Sequence, residues 1–400
     1  MSSLFNVVYI SEYSKKGNLS SESHSSVKST KFFPIYFFNN KEMIFKPMSK
    51  TKPLTTPFFS YSEVYWSYVI NKYFDSKAPR YYLSVGKKED LEEKYYNKGV
   101  LVKKINNDNQ RLINLYDYFI EHPQDDIDIS NYCNYCMKTY DYSQILSSKF
   151  ISDNSDIGRD ISYQILLSIL RMDQNFHYEN VNFLEEDGKI EVAPPIDFEF
   201  SNFFLYPDDI SRYEYEKQKY TNDIAIPEQE EPDKDLFKKL CEQIGMDFIT
   251  YNKKNISCIV KKYPDVVMKF IGNLDKFINE LKDIKLEDEF NYIGKMNSDY
   301  WTVYYSLYKE NDSDKYNQLK NSMKLHDIDK EETFNKITSD IYEFAVKFRS
   351  TLRTYLFAHQ KGIQNLEELT LKDLLNVISK EDSEEIKKLD LDNLSLILKK

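Results

Sequence analysis

The sequence predicts an α+β protein in which a small strand-rich part, residues 1–105, precedes a larger helical part, residues 106–400. Short apolar and aromatic runs separated by polar turns fill the first part, which is typical of β-strands. Segments with apolar residues at helical spacing dominate from residue 234 onward. With 41% hydrophobic and 30% charged residues, the 400-residue chain has the composition of a globular protein with a buried core.

The amino-terminal part is expected to form five strands and one helix. The segment SEVYWSYVINKYF (62–74) contains no Gly or Pro and predicts the helix, with Ser60 or Ser62 available as its N-cap. The stretch KKGNLSSESHSSVKST shows no periodicity and predicts a mobile Ser-rich loop at residues 17–30. The predicted strands are FNVVYI (5–10), FFPIYFF (32–38), EMIFKP (42–47), RYYLSV (80–85) and GVLVKKI (99–105).

The second part is predicted to be helical, with one hairpin inserted at residues 172–201. Residues 110–172 have a helical pattern that ends in the apolar segment ISYQILLSILRM. The hairpin is indicated by VNFL and KIEVA, which are joined by EEDG with Asp187-Gly188 at the turn. Residues 207–235 are polar and contain three prolines, so surface loops are expected before the final helices.

Composition and charge exclude several classes of function. Only 9 of the 400 residues are glycine, well below the roughly 7% of average proteins. Neither the dinucleotide-binding motif G-x-G-x-x-G nor the P-loop motif G-x-x-x-x-G-K-[ST] occurs. A net charge of −11 predicts no nucleic-acid partner, although it leaves a basic protein partner open. No apolar run approaches the roughly 20 residues of a membrane span, so no membrane association is expected. Four cysteines suit a reducing compartment, and we expect a cytoplasmic protein.

A strand lysine and a helix glutamate are the first candidates for a chemical role. The order of elements suggests a two-lobed phosphotransferase, which needs a lysine at the nucleotide phosphates. Lys46 ends a predicted strand, and Glu63 lies in the first turn of the predicted helix. Such a pair would hold the lysine extended into a cleft between the lobes. The alternative is a solvated lysine and a glutamate favoured by the helix dipole.

The hairpin window supplies the second group of candidates. His177 and Asn180 precede the first hairpin strand, and Asp197 follows the second. Amide and carboxylate oxygens are hard ligands that suit Mg²⁺, and the hairpin would bring its two ends together. In the alternative interpretation Asn180 caps a turn, Asp197 is a loop carboxylate and His177 is a hydrogen-bonded core histidine.

Taken together, these segments resemble the HipA-like protein kinases, which include the toxin kinases of bacterial persistence modules and related effector kinases. The resemblance is carried by IFKP, SEVYWSYVINKYF, GVLVKKI and H-x-x-N-V-N-F-L...G...APPIDF, and it covers residues 1–205. It implies a two-lobed protein-kinase-like fold, with ATP and Mg²⁺ as cofactors. The implied reaction is phosphorylation of a Ser or Thr on a protein substrate, with an antitoxin or regulatory protein as a possible further partner.

The resemblance also implies a role for individual residues. Lys46 would contact nucleotide phosphates and Glu63 would pair with it. Asn180 and Asp197 would hold Mg²⁺, with His177 bracing the catalytic loop. The strand along the adenine would be formed by Val100, Leu101, Val102 and Lys103.

The chain departs from the family pattern at the catalytic base. The pattern D-x-H-x-x-N places an Asp where this chain has Asn175, and Asp173 lies two residues further upstream. Either Asp173 reaches the acceptor hydroxyl through a rearranged loop, or the base is missing. General-base help supplies about 10²–10⁴-fold in rate. An active kinase is the leading expectation; a weak or silent pseudokinase acting by binding, another nucleotide transfer, and a lipid or small-molecule kinase stay open.

The Ser-rich loop would lie where such kinases cover the nucleotide phosphates. The resemblance implies autophosphorylation in this loop. We expect a phosphate there to move the loop out of the cleft, because it adds about −1.5 to −2 charges beside those of the nucleotide. A merely flexible loop is the equal alternative. The candidate serines are Ser20, Ser21, Ser23, Ser25 and Ser26.

Overall fold

A computed structural model of the chain shows the predicted α+β arrangement, with strands before helices. A six-stranded sheet and one long helix come first, and a three-stranded sheet is then set among helices. The residues that the structure describes are 8–10, 15–21, 31–38, 41–49, 56–74, 76–91, 95–107, 109–128, 141–173, 176–198, 201, 248–283, 330–369 and 373.

The six-stranded sheet has the spatial order β1-β5-β6-β4-β3-β2. Its pairs are antiparallel except for β1 and β5, which run parallel. Helix α1 (Thr56–Tyr73) connects β4 to β5 and includes the predicted helical segment except its last residue. Because the helix begins at Thr56, Ser60, Ser62 and Glu63 lie inside it, and the predictions of a serine N-cap and of Glu63 in the first turn are wrong. The strands are β1 (Val8–Tyr9), β2 (Lys15–Ser21), β3 (Lys31–Phe38), β4 (Lys41–Ser49), β5 (Tyr81–Val85) and β6 (Tyr95–Lys103).

Strand β2 corrects the prediction for the start of the Ser-rich loop. Gly17, Ser20 and Ser21 belong to this edge strand and pair with β3, with Leu19 opposite Phe33. The sequence did not indicate a strand because its residues are polar, and the ladder to an aromatic neighbour overrides their weak β-propensity. The remaining candidates, Ser23, Ser25 and Ser26, lie outside the described residues.

A second correction concerns residues 111–114, which were predicted to be helical. Arg111–Asn114 form strand β7, which pairs with the first strand of the hairpin. Four residues are too few to show a period, so the apolar pattern of the helices that follow masked the strand. Asn114 then caps the next helix, since its side-chain oxygen accepts a 2.8 Å hydrogen bond from the Asp117 amide. The helices are α2 (Leu115–Glu121), α3 (Ser143–Ser147), α4 (Lys149–Asp153) and α5 (Ser155–Leu170).

The predicted hairpin is confirmed. Strands β8 (Asn182–Glu186) and β9 (Lys189–Val192) pair antiparallel, and β7 completes a three-stranded sheet. Asp187 and Gly188 have φ of 50° and 73°, the left-handed pair that a two-residue type I′ turn requires.

The carboxy-terminal helices that the structure describes lie in the region that was predicted to be helical from residue 234 onward. The polar stretch 207–235 lies outside the part of the chain that is described. None of the helices in the described ranges is long and apolar enough to cross a membrane. The helices are α6 (Phe248–Tyr251), α7 (Lys253–Lys262), α8 (Pro264–Asp283) and α9 (Lys330–Gln360).

One continuous hydrophobic core joins α1 to the helical part. The ring of Phe277 in α8 lies 5.3 Å from that of Tyr73 and 6.4 Å from that of Trp66. Phe74, which directly follows α1, lies 5.2 Å from Phe270. Because α1 contributes to this core, its position relative to α8 is determined by packing as well as by its connection to the sheet.

Candidate functional site

Lys46 lies on the face of the sheet that meets the main core. The register of β4 and β6 places Lys46 opposite Val100 and Phe45 opposite Leu101. Successive side chains of a strand point to opposite faces. Lys46 therefore shares its face with the core residue Val100, whereas Phe45 and Leu101 belong to a smaller cluster on the other face.

A glycine allows β6 to approach β4 at this point. A Cβ atom at Gly99 would overlap the carbonyl oxygen of Lys46. The residue has to be glycine for the two strands to keep this spacing. The backbone that carries Lys46 is thereby held close to its neighbour.

The structure brings together the three charged residues that the sequence analysis singled out. The Lys46 Nζ lies 2.7 Å from the Glu63 Oε1 and also forms an ion pair with Asp197. The Glu63 side chain is 2% exposed, whereas those of Lys46 and Asp197 are 24% and 27% exposed. A ligand can therefore reach the lysine and the aspartate while the glutamate supports them from the interior.

Glu63 also holds the segment that carries Asp197. Its second carboxylate oxygen accepts a 2.8 Å hydrogen bond from the Phe198 amide. One oxygen thus orients Lys46 and the other fixes the backbone after Asp197. A carboxylate can accept at both oxygens, which a neutral amide side chain cannot do.

The backbone at Asp197 adopts a left-handed conformation with φ of 62°. Its amide donates to the hydroxyl of Tyr81 at 3.3 Å, and the carbonyl of Phe198 accepts hydrogen bonds from Ser62 and Ser201. Burial, reinforced by the charge of Glu63, raises the pKa of Tyr81 well above its usual value and outweighs the opposing charge of Lys46. Tyr81 is therefore a neutral hydroxyl at physiological pH.

His177 and Asn180 lie in the turn before β8 and are half-buried. The Asn180 amide donates to the His177 carbonyl at 2.8 Å, and the Glu179 amide donates to His177 Nδ1 at 3.2 Å. The hairpin joins Asn182 to Ala193 through a 2.7 Å backbone hydrogen bond. Asn180 and Asp197 therefore precede and follow the paired strands of one hairpin.

Oxygen donors of this kind fit a hard divalent cation. The carboxylate of Asp197 and the amide oxygen of Asn180 suit Mg²⁺, which keeps water and phosphate oxygens in its other positions. Among the residues that are described, no group of three or more His, Cys, Asp and Glu side chains could hold a metal ion. These two side chains would supply two oxygen ligands, so a cation bound there would take its other ligands from water or from a bound molecule.

Asp173 occupies a different environment from the one expected of a catalytic base. Its side chain is 1% exposed, and its Oδ2 lies 3.0 Å from the Nη2 of the equally buried Arg171. Its backbone forms an isolated β-bridge with Ser201. A carboxylate this buried is shielded from solvent, and its role as the catalytic base stays a prediction. Asn175 lies outside the described residues.

The four residues predicted along the adenine divide between the two faces of β6. By strand alternation Val100 and Val102 share the face of Lys46, whereas Leu101 and Lys103 point to the opposite face. Val100 and Leu101 are buried, Val102 is half-buried and Lys103 is exposed. Two of the four therefore face the cluster formed by Lys46 and Glu63.

Sequence reasoning missed four residues that hold the Asp197 segment. Ser62, Tyr81 and Phe198 belong to segments that look like ordinary core, so no signal distinguishes them. Arg171, whose guanidinium carbon lies 4.6 Å from the centroid of the Phe198 ring, was visible as a charged residue at the end of the apolar helix α5, which is an unusual position for an arginine.

Comparisons with known proteins add little. No protein-family model matches the chain, and no curated protein matches its sequence. Among solved structures, it is similar to the crystal structure of a Helicobacter pylori proinflammatory kinase, CtkA. The match has 16% sequence identity and a TM-score of 0.33, and it covers 61% of this chain and 82% of that one. A likeness this weak carries no argument about the site.

The kinase-like character of the fold rests on the chain's own elements. A small sheet with one helix is followed by a hairpin and then by a helical part. This is the mixed α/β, two-lobed arrangement of a kinase-like fold, with Lys46 and Glu63 in the first part and Asp197 in the second.

Proposed function

We propose that this chain is a HipA-like, ATP- and Mg²⁺-dependent kinase that phosphorylates a Ser or Thr hydroxyl of a protein. The observation that carries the proposal is the contact of Lys46 with both Glu63 and Asp197. Two of the three residues come from β4 and α1, and the third follows a hairpin that is distant in sequence. Phosphoryl transfer needs this combination of one cation and two carboxylates for positioning.

Each residue has a physical task in this proposal. Lys46 offers a positive charge to phosphate oxygens, and Glu63 holds it extended from a buried position. Asp197 and Asn180 supply oxygen ligands, while the backbone contacts of Phe198 keep Asp197 in place. A bound Mg²⁺ supplies neutralisation of the charge on the nucleotide phosphates.

The transfer step exchanges one phosphorus–oxygen bond for another. The acceptor oxygen forms a bond to the γ-phosphorus, the bond to the bridging oxygen breaks, and ADP leaves. The hydroxyl proton passes to solvent water if no side chain takes it. Because Asp173 is buried against Arg171, we expect turnover slower by about the 10²–10⁴-fold that a positioned base supplies.

A second candidate is a catalytically silent protein that binds nucleotide and acts through a regulatory partner. The burial of Asp173, together with Asn175 in the family's catalytic Asp position, favours it. The two candidates share the nucleotide site and differ only in the transfer step.

Radiolabel transfer separates the two candidates. The chain is incubated with Mg²⁺ and ATP labelled at the γ-phosphate, alone and with a basic acceptor protein that suits its net charge of −11. We expect label on protein, lost in Asp197→Ala and retained in Lys41→Met, a control at an exposed lysine of the same strand. Nucleotide binding in a thermal-shift assay without transfer would favour the silent candidate. Absence of nucleotide binding would contradict both.

A further inference from the structure

Arg171 is a charged residue in the interior that the proposed reaction does not use directly. It caps the carboxy-terminal end of α5, is 1% exposed, and is among the largest fully buried side chains described. Its Nε donates to the Leu167 carbonyl at 3.3 Å, while Nη1 has no hydrogen-bond partner in the part of the chain that is described. Burying a guanidinium with an unsatisfied donor is costly, so other contacts must offset that cost.

Two contacts connect Arg171 to the candidate site. Its Nη2 lies 3.0 Å from Asp173 Oδ2, and its guanidinium carbon lies 4.6 Å from the centroid of the Phe198 ring. A guanidinium over an aromatic face is attracted by the ring quadrupole, and more strongly when desolvated. Burial lowers the pKa of Arg171, but the charges of Asp173, Glu63 and Asp197 favour its protonated form.

The segment that contains Asp197 and Phe198 needs support from several other side chains. A non-glycine residue in the left-handed region, such as Asp197, keeps that conformation only where its surroundings determine it. Glu63 holds the Phe198 amide, and Tyr81 lies 5.6 Å from the Phe198 ring. Arg171 supplies the contact from the α5 side, so the ring of Phe198 contacts both Tyr81 and Arg171.

We propose that Arg171 is a positioning residue for Asp197: by stacking on Phe198 it keeps the neighbouring carboxylate where a divalent cation binds with the nucleotide. The inference rests on the proposed nucleotide site. The planar guanidinium is required, because a lysine at this position would carry the charge without stacking in the same way.

The alternative is that Arg171 only neutralises the buried Asp173. Replacing both members of a buried ion pair by neutral residues is often harmless to stability, whereas removing one partner is strongly destabilising. The double variant Arg171→Met with Asp173→Asn therefore removes the charge requirement and the stacking together. It separates the two roles, because neutralisation is no longer needed but positioning still is.

Calorimetric titration of ATP with and without Mg²⁺ tests the proposal. The unsubstituted chain should bind ATP more tightly when Mg²⁺ is present. In the double variant and in Arg171→Lys we expect Mg²⁺-free ATP affinity within about 2-fold of the original, since Lys46 is unchanged. The gain in affinity from Mg²⁺ should fall by about 10-fold or more, in line with the loss of one interaction of about 1.4 kcal/mol. The proposal would be overturned if Mg²⁺ raised the ATP affinity of either variant as much as it raises that of the unsubstituted chain.

A third variant leaves the buried ion pair intact. Phe198→Leu removes the stacked ring but keeps Arg171 and Asp173, and we expect the same loss of the Mg²⁺-dependent gain. A full gain in this variant would overturn the positioning role even if the Arg171 variants fold poorly. If the unsubstituted chain binds no ATP, the proposed function itself fails. If the unsubstituted chain binds ATP normally and Mg²⁺ raises the ATP affinity of the variants just as much, only the role of Arg171 is contradicted.

Discussion

The two faces of the six-stranded sheet differ in what they bury and in what they expose. On one face Lys46 and Val100 meet α1 and the large core of the helical part. On the other, Phe45 and Leu101 form a small cluster with Ile10, Tyr36 and Met43. Lys46 and Phe45 are neighbours in β4, but they point to opposite faces and therefore have different surroundings.

The charged groups on the two faces also differ in the residues that support them. On the small-cluster face, the Tyr36 hydroxyl donates a 2.7 Å hydrogen bond to Asp90, and Lys15 lies 3.4 Å from the same carboxylate. Burial, followed by the bond to Asp90, raises the pKa of Tyr36, so it remains neutral. On the Lys46 face the buried support is itself charged, because Glu63 lies behind the partly exposed Lys46 and Asp197, whereas on the other face it is the neutral hydroxyl of Tyr36.

The largest expected effect concerns the core behind the Lys46 face. Phe277→Ala should lower the free energy of unfolding by about 3–5 kcal/mol, as for other buried phenylalanines. It should also weaken ATP binding, because α1 loses its packing partner in α8. Phe45→Ala, on the other face, should be comparably destabilising but leave the ATP affinity of the folded protein unchanged. Urea unfolding and ATP titration of the two variants check these expectations. Equal losses of ATP affinity in the two variants would contradict the claim that only the Lys46 face supports the site.

The next effect concerns the double role of Glu63. In Glu63→Gln the side chain can accept from Lys46 or from the Phe198 amide, but not from both. Hydrogen bonds to charged groups contribute about 1.5–3 kcal/mol, so Mg²⁺–ATP affinity should fall by about 10–100-fold. Fluorescence titration measures this, with Glu89→Gln as the matched control at an exposed position. Similar affinities in the two variants would contradict the role of Glu63.

A smaller effect is expected on the opposite face. Tyr36→Phe removes the hydrogen bond to Asp90 without changing the size of the ring. The free energy of unfolding should fall by about 1 kcal/mol. The decrease should be larger if water cannot replace the lost hydrogen bond to Asp90. Nucleotide affinity should not change, because this hydrogen bond lies on the face of the sheet opposite to Lys46. A loss of binding in this variant would show that the faces are coupled.

The smallest effect tests how α1 is attached at its outer end. Hydrogen bonds from Lys72 and Tyr73 lower the pKa of Glu280 in α8. A folded-state pKa below the unfolded value of about 4.3 stabilises the protein above that pH, and the gain is lost as the pH falls through the folded-state pKa. Because the pair is largely exposed, the gain should be below about 1 kcal/mol.

Urea unfolding at pH 7 and pH 3 measures this contribution. Glu280→Gln should be slightly less stable than the original chain at pH 7, and the difference should shrink at pH 3, where more of the Glu280 carboxyl is protonated. An equal difference at both pH values would mean that the contact stabilises by packing and not by charge.

Strong local signals account for the part of the fold that could be predicted from the sequence. The aromatic strands, the helix with Glu63 and the hairpin at Asp187-Gly188 each have a pattern within their own residues. The strand Arg111–Asn114 and the polar strand Lys15–Ser21 do not, because pairing with a neighbour stabilises them. Their signal lies in the partner strand and not in their own residues.

The same distinction applies to the candidate site. Lys46, Glu63 and Asp197 were predicted from order and spacing, and they lie together. Arg171 and Tyr81 act on this group through contacts that only the folded chain creates. The burial of Asp173 has the same origin, since a carboxylate in a loop gives no indication that a nearby arginine will enclose it.

The most direct test of the central claim, a nucleotide site built on Lys46, is calorimetric titration of ATP in the presence of Mg²⁺. The unsubstituted chain, Lys46→Met and the control Lys41→Met are compared. We predict that Lys41→Met binds like the unsubstituted chain and that Lys46→Met binds at least about 10-fold more weakly, because it loses charge-assisted hydrogen bonds to the phosphates. Equal affinity in all three proteins, or no binding by any of them, would contradict the account.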